Sequence, residues 1–562
     1  MSSAVDQMKE NLACALIRSV KKAVNQGVLQ ELPELPDFII EVPREKDHGD
    51  FAANLAMLLS KKVHLPPRKV AGILMDCIDL EGLPVEKVEV AGPGFINFYL
   101  DPGWVLGVLP GIITLDENYG RTDLGGGAKV QIEFVSANPT GLLHMGNARG
   151  AALGDSIASI LNFCGYQVTR EFYINDAGHQ IELLGDSLQA RYFQLLDRPA
   201  EIPAEGYHGE DIIETVKGFI NLYGDSYLNI DEDERKNALI DYTLKEKLAV
   251  IKKALLSFGV SYDVWFSEQD LHNNGVVKEI VDRLNSMGYL YEHEGALWFK
   301  AKEFGVEKDE VILRSNGVPT YFATDIAYHF NKFERGFDRI INIWGADHHG
   351  HVARMKGAMA ALGYNPDALH VIIMQLVRLY RGKEIVRMSK RAGQYVTLEE
   401  LIEEVGRDAA RYFFVMRSAD SHLDFDLDLA RSQSNENPVY YIQYAHARIC
   451  SILRQLDETG KTLPTPGPDY LNLLKEESEL ILARRLADFP EEVSMAAKDL
   501  APQRLTRYLH EVAGLLHSFY NSHRIISPDE KLSCARLILV RATRVVLCNG
   551  MRLLGIQAPE RM

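Results

Sequence analysis

The sequence predicts an α/β protein: a parallel, doubly wound sheet domain with helical insertions, a small α/β module before it and an all-α bundle after it. Three observations carry this reading. Residues 129–174 run strand, helix, strand, the unit from which parallel sheets are wound. Residues 1 to about 110 mix helical periodicity with an alternating, hairpin-like stretch. Beyond about Arg431 the apolar positions keep helical spacing to the end.

The elements follow in order. Residues 8–25 read as a helix, 32–43 as a Pro-rich connection and 50–59 (DFAANLAMLL) as a second helix. Residues 85–100 alternate around Gly92-Pro93-Gly94, a hairpin signal. Gly125-Gly126-Gly127 reads as a linker: it precedes a strand instead of following one, and no GxxxxGK[ST] occurs. Val130, Ile132 and Phe134 alternate as a strand. Pro139-Thr140-Gly141 turns the chain, and after His144 the positions Leu153, Ile157, Ile160, Leu161 and Cys164 keep helical spacing. Gly165 stops that helix and 167–174 returns as a strand. Residues from about 185 to 290 read as helical inserted material, and strand text resumes at 295–300, 311–313, 339–344 and 370–376. There is no internal repeat.

Composition excludes several classes. The chain has 562 residues, 46% apolar and 25% charged, which suits a large globular protein and not a disordered one. No run of about 18 apolar residues occurs, so no membrane span is expected. The charged, amphipathic start (MSSAVDQMKENLACALIRSVKKAV) lacks a signal-peptide core, so a cytoplasmic location is expected. Cys14, Cys77, Cys164, Cys450, Cys534 and Cys548 form no CxxC pair, and buried thiols are expected in place of a zinc site or disulfides. The net charge of −17 argues against a non-specific nucleic-acid coat. Residues 501–562 nevertheless hold 9 Lys/Arg against 4 Asp/Glu, which permits one anionic partner docking at that end.

The chemistry centres on FVSANPTGLLHMGNARGAALGD. A strand, a Pro/Gly turn and a helix put His144, Gly146 and Asn147 at a helix N-terminus, where unpaired N–H groups and the helix dipole favour phosphate. Far downstream, Arg387-Met388-Ser389-Lys390-Arg391 is a basic loop beside Gly393 whose Lys390 suits a pyrophosphate leaving group. Together they suggest ATP activation. Glu133, Asn138, Tyr321 and Asp325 read as a polar, acidic cluster near strand ends, suited to a guanidinium fork. Asp347-His348-His349-Gly350-His351 has metal-ligand residue types, but no further Asp/His cluster completes a site.

HMGN resembles the HIGH signature of class I aminoacyl-tRNA synthetases, and RMSKR resembles their KMSKS loop. EFVSANPTGLLHMGNARG, AGPGFINFYL, GRDAARYFF, YYIQYAHAR and the ending LGIQAPERM are similar to the bacterial-type arginyl-tRNA synthetase family, over essentially the whole chain. The resemblance implies a Rossmann-type catalytic domain at 125–375 and a KMSKS-like connecting region at 376–430. It implies a tRNA-contacting additional domain at 1–110 and an all-α anticodon-binding domain at 431–562. It implies that L-arginine is joined to tRNA(Arg) through an arginyl-adenylate, with ATP and Mg²⁺ and no structural metal, by a monomer. His144, Gly146, Asn147, Met388, Ser389 and Lys390 would serve ATP, with His144, Asn147 and Lys390 catalytic. Glu133, Asn138, Tyr321 and Asp325 would hold arginine. Phe95, Asn97 and Tyr99 would face the D-loop, and Tyr441, Tyr444, Arg448 and Met562 the anticodon. Asn147 stands where HIGH ends in His, and Arg387 and Arg391 replace the outer residues of KMSKS. Rival readings are another class I synthetase, a metal-dependent phosphoesterase and a non-catalytic RNA-binding relative.

Overall fold

The computed structural model describes residues 4–43, 48–386, 396–458 and 468–562. Arg387, Met388, Ser389, Lys390 and Arg391 therefore lie outside the described residues.

The amino-terminal module is a four-stranded antiparallel sheet in the order Ile40–Glu41, Phe51–Ala53, Phe95–Leu100, Val85–Ala91. Helices Ala4–Asn25, Leu55–Val63 and Pro67–Cys77 accompany it, and their apolar faces share one core with Phe51, Ile96 and Phe98. The hairpin expected at 85–100 forms, and Gly94 is required at its turn. Its φ is +131°, and a Cβ there would lie 2.8 Å from Pro67. The stretch 50–59 is not one helix. Phe51–Ala53 pairs as a strand and the helix starts at Leu55, because long-range pairing of a buried Phe overrides local helical propensity.

The next domain holds five parallel strands in the order Leu369–Met374, Arg339–Gly345, Lys129–Glu133, Gln167–Ile174, Val264–Ser267. The first of these in the chain is central, with the next two on one side and the last two on the other. The winding reverses between Lys129–Glu133 and Arg339–Gly345. Such a reversal opens a crevice outside the carboxyl ends of the two strands. Helix Met145–Phe163 packs on one face of the central strand so closely that a Cβ on Gly154 would overlap the Phe134 ring. Helix Tyr321–Glu334 covers the other face, where its Lys332 reaches Glu133.

Residues 185–290 are not wholly helical. Helices His179–Leu195, Glu210–Tyr223 and Glu232–Ser257 share a separate core around Leu184, Tyr192, Phe219 and Leu239. The chain then returns as the edge strand Val264–Ser267 of the parallel sheet. Leu290–His293, Ala296–Phe299 and Glu310–Leu313 form a separate antiparallel sheet.

The carboxyl-terminal region is helical: Pro438–Glu458, Glu477–Ala487, Phe489–Lys498, Gln503–Ser522 and Glu530–Leu553. One apolar core runs from the amino-terminal module through Met145–Phe163 into this bundle. Buried polar groups also join the bundle to the linker region: Tyr119 Oη donates to Leu486 O (2.9 Å) and Asn549 Nδ2 to Tyr119 O (3.0 Å). Among the described residues no helix is long and apolar enough to cross a membrane.

Candidate active site

The central strand ends in a strained turn. Val135 has φ +71° and Ser136 φ +39°, and Ser136 N donates back to Phe134 O (3.0 Å). A γ-turn of this hand is rare, and a β-branched residue in it costs on the order of 1–3 kcal/mol. The turn aims Ser136 Oγ at Glu133 Oε1 (2.8 Å), where it also accepts from Tyr173 N (3.1 Å). Val135 lines the crevice.

Helix Met145–Phe163 starts on that crevice with a reciprocal cap. His144 Nδ1 accepts from Gly146 N (3.1 Å), and Asn147 Oδ1 accepts from His144 N (3.0 Å). With Nδ1 accepting, the neutral imidazole carries its proton on Nε2. The cap leaves backbone N–H groups of the first turn at a cleft of about 570 Å³ lined by His144, Gly146 and Asn147. The opposite wall is Gly345, Asp347 and His348, at the end of Arg339–Gly345, together with Gln375 and Val377. Asp347 and His348 are thus brought to the nucleotide-sized cleft, and no group of three or more His, Cys, Asp or Glu is arranged for a metal among the described residues. Both described flanks of segment 387–395 reach this wall. Val386 N donates to Leu379 O (2.9 Å) in the strand that begins at Val377, and Leu398 N donates to Leu143 O (2.9 Å), with His144 bridged to Thr397.

A cluster of acidic and aromatic side chains neighbours the cleft residue His348. Tyr321 and Asp325 lie one turn apart on helix Tyr321–Glu334, so they share a face. Asp325 Oδ2 is 2.9 Å from His351 Nε2. His351 and the cleft residue His348 both pack on Trp344, with ring centroids 5.5 and 6.1 Å away. Trp344 therefore links the cleft residue His348 to the Asp325 partner His351. Asn138 is exposed at the rim, its Nδ2 donating to Gln180 Oε1 (2.8 Å).

Glu133 differs from the open clamp that the sequence suggested. It is buried, and its Oε2 accepts from Lys332 Nζ at 2.6 Å while Oε1 accepts from Ser136. Lys332, fully buried, also donates to Asn342 Oδ1 (2.8 Å). Asn342 Nδ2 donates to His329 Nε2 (2.7 Å), and His329 Nδ1 donates to Asp325 O (2.8 Å). Burial, with Lys332 beside it, holds the His329 pKa well below its usual value, so this ring is neutral. Both Glu133 oxygens are engaged inside the protein, which a ligand-facing carboxylate would not be.

Sequence reading missed Glu268. It is 4% exposed, and burial first, then the charges of Asp325 and Asp176, push its carboxyl up to about 7, against a hydrogen bond from Tyr173 that lowers it. Desolvation and clustered like charges keep the proton on this carboxyl. The available signal was an acid at the carboxyl end of a strand, hidden because 264–267 was read as helix.

Three family descriptions match this chain. They are the arginyl tRNA synthetase N terminal domain over residues 6–100, the class I (R) tRNA synthetase catalytic domain over 109–423 and the DALR anticodon binding domain over 442–562. An arginine–tRNA ligase of Desulforamulus reducens is 63% identical over 562 residues, covering 100% of both chains. One of Desulforudis audaxviator is 63% identical over 98% of this chain and 100% of its own. The chain belongs to the arginyl-tRNA synthetase family. The arginyl-tRNA synthetase structure of Thermus thermophilus shares the fold, with a TM-score of 0.74 at 24% identity over 99% of this chain and 100% of that one. The chain is accordingly a class I arginine–tRNA ligase, an enzyme that uses ATP.

The residues assigned to RNA fall on two surfaces. On strand Phe95–Leu100, Phe95, Asn97 and Tyr99 share one sheet face. Asn97 is only 2% exposed and its Oδ1 has no partner, while Lys87 Nζ sits 5.0 Å over the Tyr99 ring. In the bundle, Arg448 NH2 donates to Tyr444 Oη (2.9 Å), and its guanidinium lies over the Tyr444 and Tyr520 rings at 4.7 and 4.4 Å. Tyr441 and Tyr444 flank His517, with centroids 4.6 and 5.7 Å from it. Tyr520 and His517, which the sequence reading did not include, complete this row of rings. The last residues are strapped to helix Pro438–Glu458 by His446 Nδ1 donating to Pro559 O (2.9 Å) and Arg454 NH1 to Glu560 O (3.0 Å), and they end in the exposed Met562.

Proposed function

We propose that the cleft at the winding reversal holds ATP and that the pocket across Trp344 holds the arginine side chain, so that the substrate carboxylate meets the α-phosphate between them. The observation that carries this is Trp344, on which the cleft residue His348 and the Asp325 partner His351 both pack, between a helix-N-terminus cleft and a cluster of carboxylates. Gly146 and Asn147 border the nucleotide at the positive end of the helix dipole, and His144 Nε2–H donates to a phosphate oxygen. Met388 and Ser389 border the same nucleotide, and Lys390 stabilises the leaving pyrophosphate; the flanks at Val386 and Thr397 support that assignment by their nearness to the cleft. Mg²⁺ arrives with ATP as part of that substrate, and Asp347 is the cleft carboxylate suited to a hydrated ion.

Asp325 and Glu268 pair with the guanidinium fork, Tyr321 covers it, and Asn138 takes the α-amino group at the rim. Glu133 acts from beneath, fixing Lys332 and Ser136. The terminal ribose 2′-OH of tRNA(Arg) then attacks the activated carbonyl, releasing AMP. Phe95 and Tyr99 meet the D-loop, with Asn97 buried between them on the strand. Tyr441, Tyr444, Arg448 and Met562 stack against and bond the anticodon bases. One copy carries every group named, so the reading needs no second copy, and we expect the enzyme to work in the cytoplasm, where tRNA and ATP are found.

The test is aminoacylation of total tRNA with each amino acid in turn. Arginine alone is expected to be attached, with ATP–pyrophosphate exchange dependent on arginine and tRNA. Charging by a different amino acid, or no exchange with any, overturns the assignment.

A further inference from the structure

Arg149 has no part in the site described above, yet it stands on helix Met145–Phe163, the helix that His144 caps. It is 1% exposed. NH1 donates to Gln375 O (2.7 Å), and NH2 donates to Ser418 O (2.9 Å) and Ser421 O (3.0 Å). All three acceptors are backbone carbonyls. Burial pulls the guanidinium pKa down to about 10, with the charge of Asp420 acting the other way, so the group stays protonated at neutral pH. A cation buried against carbonyls is a costlier filling than an apolar side chain of the same size. What it supplies is geometry: a planar fork of donors fixes two segments of chain at once.

The segment it fixes is the cleft wall at 374–377. Gln375 is gripped at both backbone groups: its O accepts from Arg149, and its N donates to Ala419 O (2.9 Å), in the same 418–421 turn that Arg149 holds. Leu423 N donates to Leu376 O (3.3 Å). This segment joins the parallel strand Leu369–Met374 to strand Val377–Arg381, and Met374, Gln375, Leu376 and Val377 all line the cleft. With Ile343 they give the cleft an apolar side, while His144 and Asn147 stand at the helix N-terminus. Phosphates suit the helix end, and a flat, largely apolar base suits the side made by 374–377. One helix thus carries both ends of the cleft, the phosphate seat by its cap and the opposite wall by Arg149.

We infer that Arg149 is a positioning residue for the base of ATP: acting through the Gln375 carbonyl, it sets the 374–377 wall at a fixed span from the phosphate seat on its own helix. The inference rests on the proposed ATP cleft. The nucleotide then meets both ends already at the right separation, because the wall is ordered by folding and not by binding. The gain falls on the base half of the ligand. The acidic cluster hangs on other elements, helices Tyr321–Glu334 and Glu268–Asn273, and does not depend on this clasp.

The experiment uses the full chain in steady-state aminoacylation, with adenosine and magnesium tripolyphosphate as inhibitors competing with ATP. Arg149→Lys keeps the charge and loses the fork. KM for ATP and the inhibition constant of adenosine are each expected to rise about 10-fold, with that of tripolyphosphate, KM for arginine and kcat per active site within about 3-fold of the parent. Arg149→Met, which also drops the charge, should weaken adenosine as much. Adenosine inhibition unchanged in Arg149→Lys, weakened in step with tripolyphosphate, or weakened only in Arg149→Met overturns the positioning role. If neither variant folds, hydrogen exchange on the parent decides. The Gln375 amide should be protected without ATP and gain little on its addition, and free exchange in the ATP-free protein overturns a wall set in advance. His144→Ala separates the two readings. If it leaves tripolyphosphate inhibition unchanged, the cleft reading fails and the inference with it; if it weakens tripolyphosphate while Arg149→Lys spares adenosine, the inference alone fails.

Discussion

The cleft proposed for ATP and the acidic cluster proposed for arginine are built in opposite ways. The cleft is made largely of backbone: the first turn of one helix, a reciprocal His144–Asn147 cap and glycines that keep side chains out of the way. His144 and Asn147 are neighbours in the chain, while Asp347, His348 and Gln375 join them from the next strands of the sheet. The pocket is made of side chains gathered from distant segments: Tyr173, Glu268, Asp325 and His351, each on a different strand or helix. Backbone N–H groups cannot be mutated away and bind any phosphate; side-chain carboxylates can be, and they choose their ligand. The difference teaches where specificity resides. On the proposed reading, ATP binding draws on the cleft and discrimination among amino acids on the acidic cluster.

That division can be broken by substitution. The largest effect expected is for Asp325→Ala, which removes a hydrogen-bonding carboxylate from a cationic ligand. KM for arginine in pyrophosphate exchange should rise by roughly 10³, with KM for ATP within about 3-fold. Equal effects on both substrates would end the separation of pocket from cleft. Lys390→Ala tests the other side. Adenylate formation should drop by roughly 10² in kcat while tRNA affinity, read by filter binding, barely changes. A collapse of tRNA affinity would make that loop an RNA contact.

The smallest effect sharpens the comparison by pH. Glu268 is held at about 7, above its ordinary 4.5, so the folded, arginine-free protein keeps a proton that the unfolded chain lacks between those values. Stability should therefore fall as pH rises through that window, by about 3 kcal/mol in all, and flatten above it. Arginine favours the ionised carboxylate, so its affinity should strengthen roughly 10-fold from pH 6 to 8, with a proton released on binding. Titration calorimetry in buffers of different ionisation enthalpy reads the proton directly. Glu268→Gln should remove both trends while leaving ATP affinity unaltered, and a pH trend that survives it would assign the proton elsewhere.

The same contrast explains what was legible in the sequence. The strand, turn and helix around His144 are contiguous, so their order alone exposed the cleft, and 167–174 was read as the strand that forms. Tyr321 and Asp325 were expected near strand ends, and they stand instead one turn apart on a helix. Glu268 did not show, because four residues of strand at 264–267 carry too little alternation to stand out among helices. Phe51–Ala53 failed for the same reason, being a strand only by virtue of its partners. The engagement of Glu133 with Lys332 joins residues far apart in the chain, and no local pattern announces it. Tyr520 was invisible until helix Gln503–Ser522 folded back beside Arg448.

The chain of contacts from Glu133 through Lys332, Asn342 and His329 to the Asp325 carbonyl pins one helix to two strands across the sheet. A lysine side chain, shorter and tipped by a single point of donors, could be satisfied only if the acids moved inward to meet it. They cannot follow, because that movement would pull a buried ammonium off its partners. On the proposed arginine reading, rejection of the near-cognate amino acid is thus a matter of stiffness at the moment of entry.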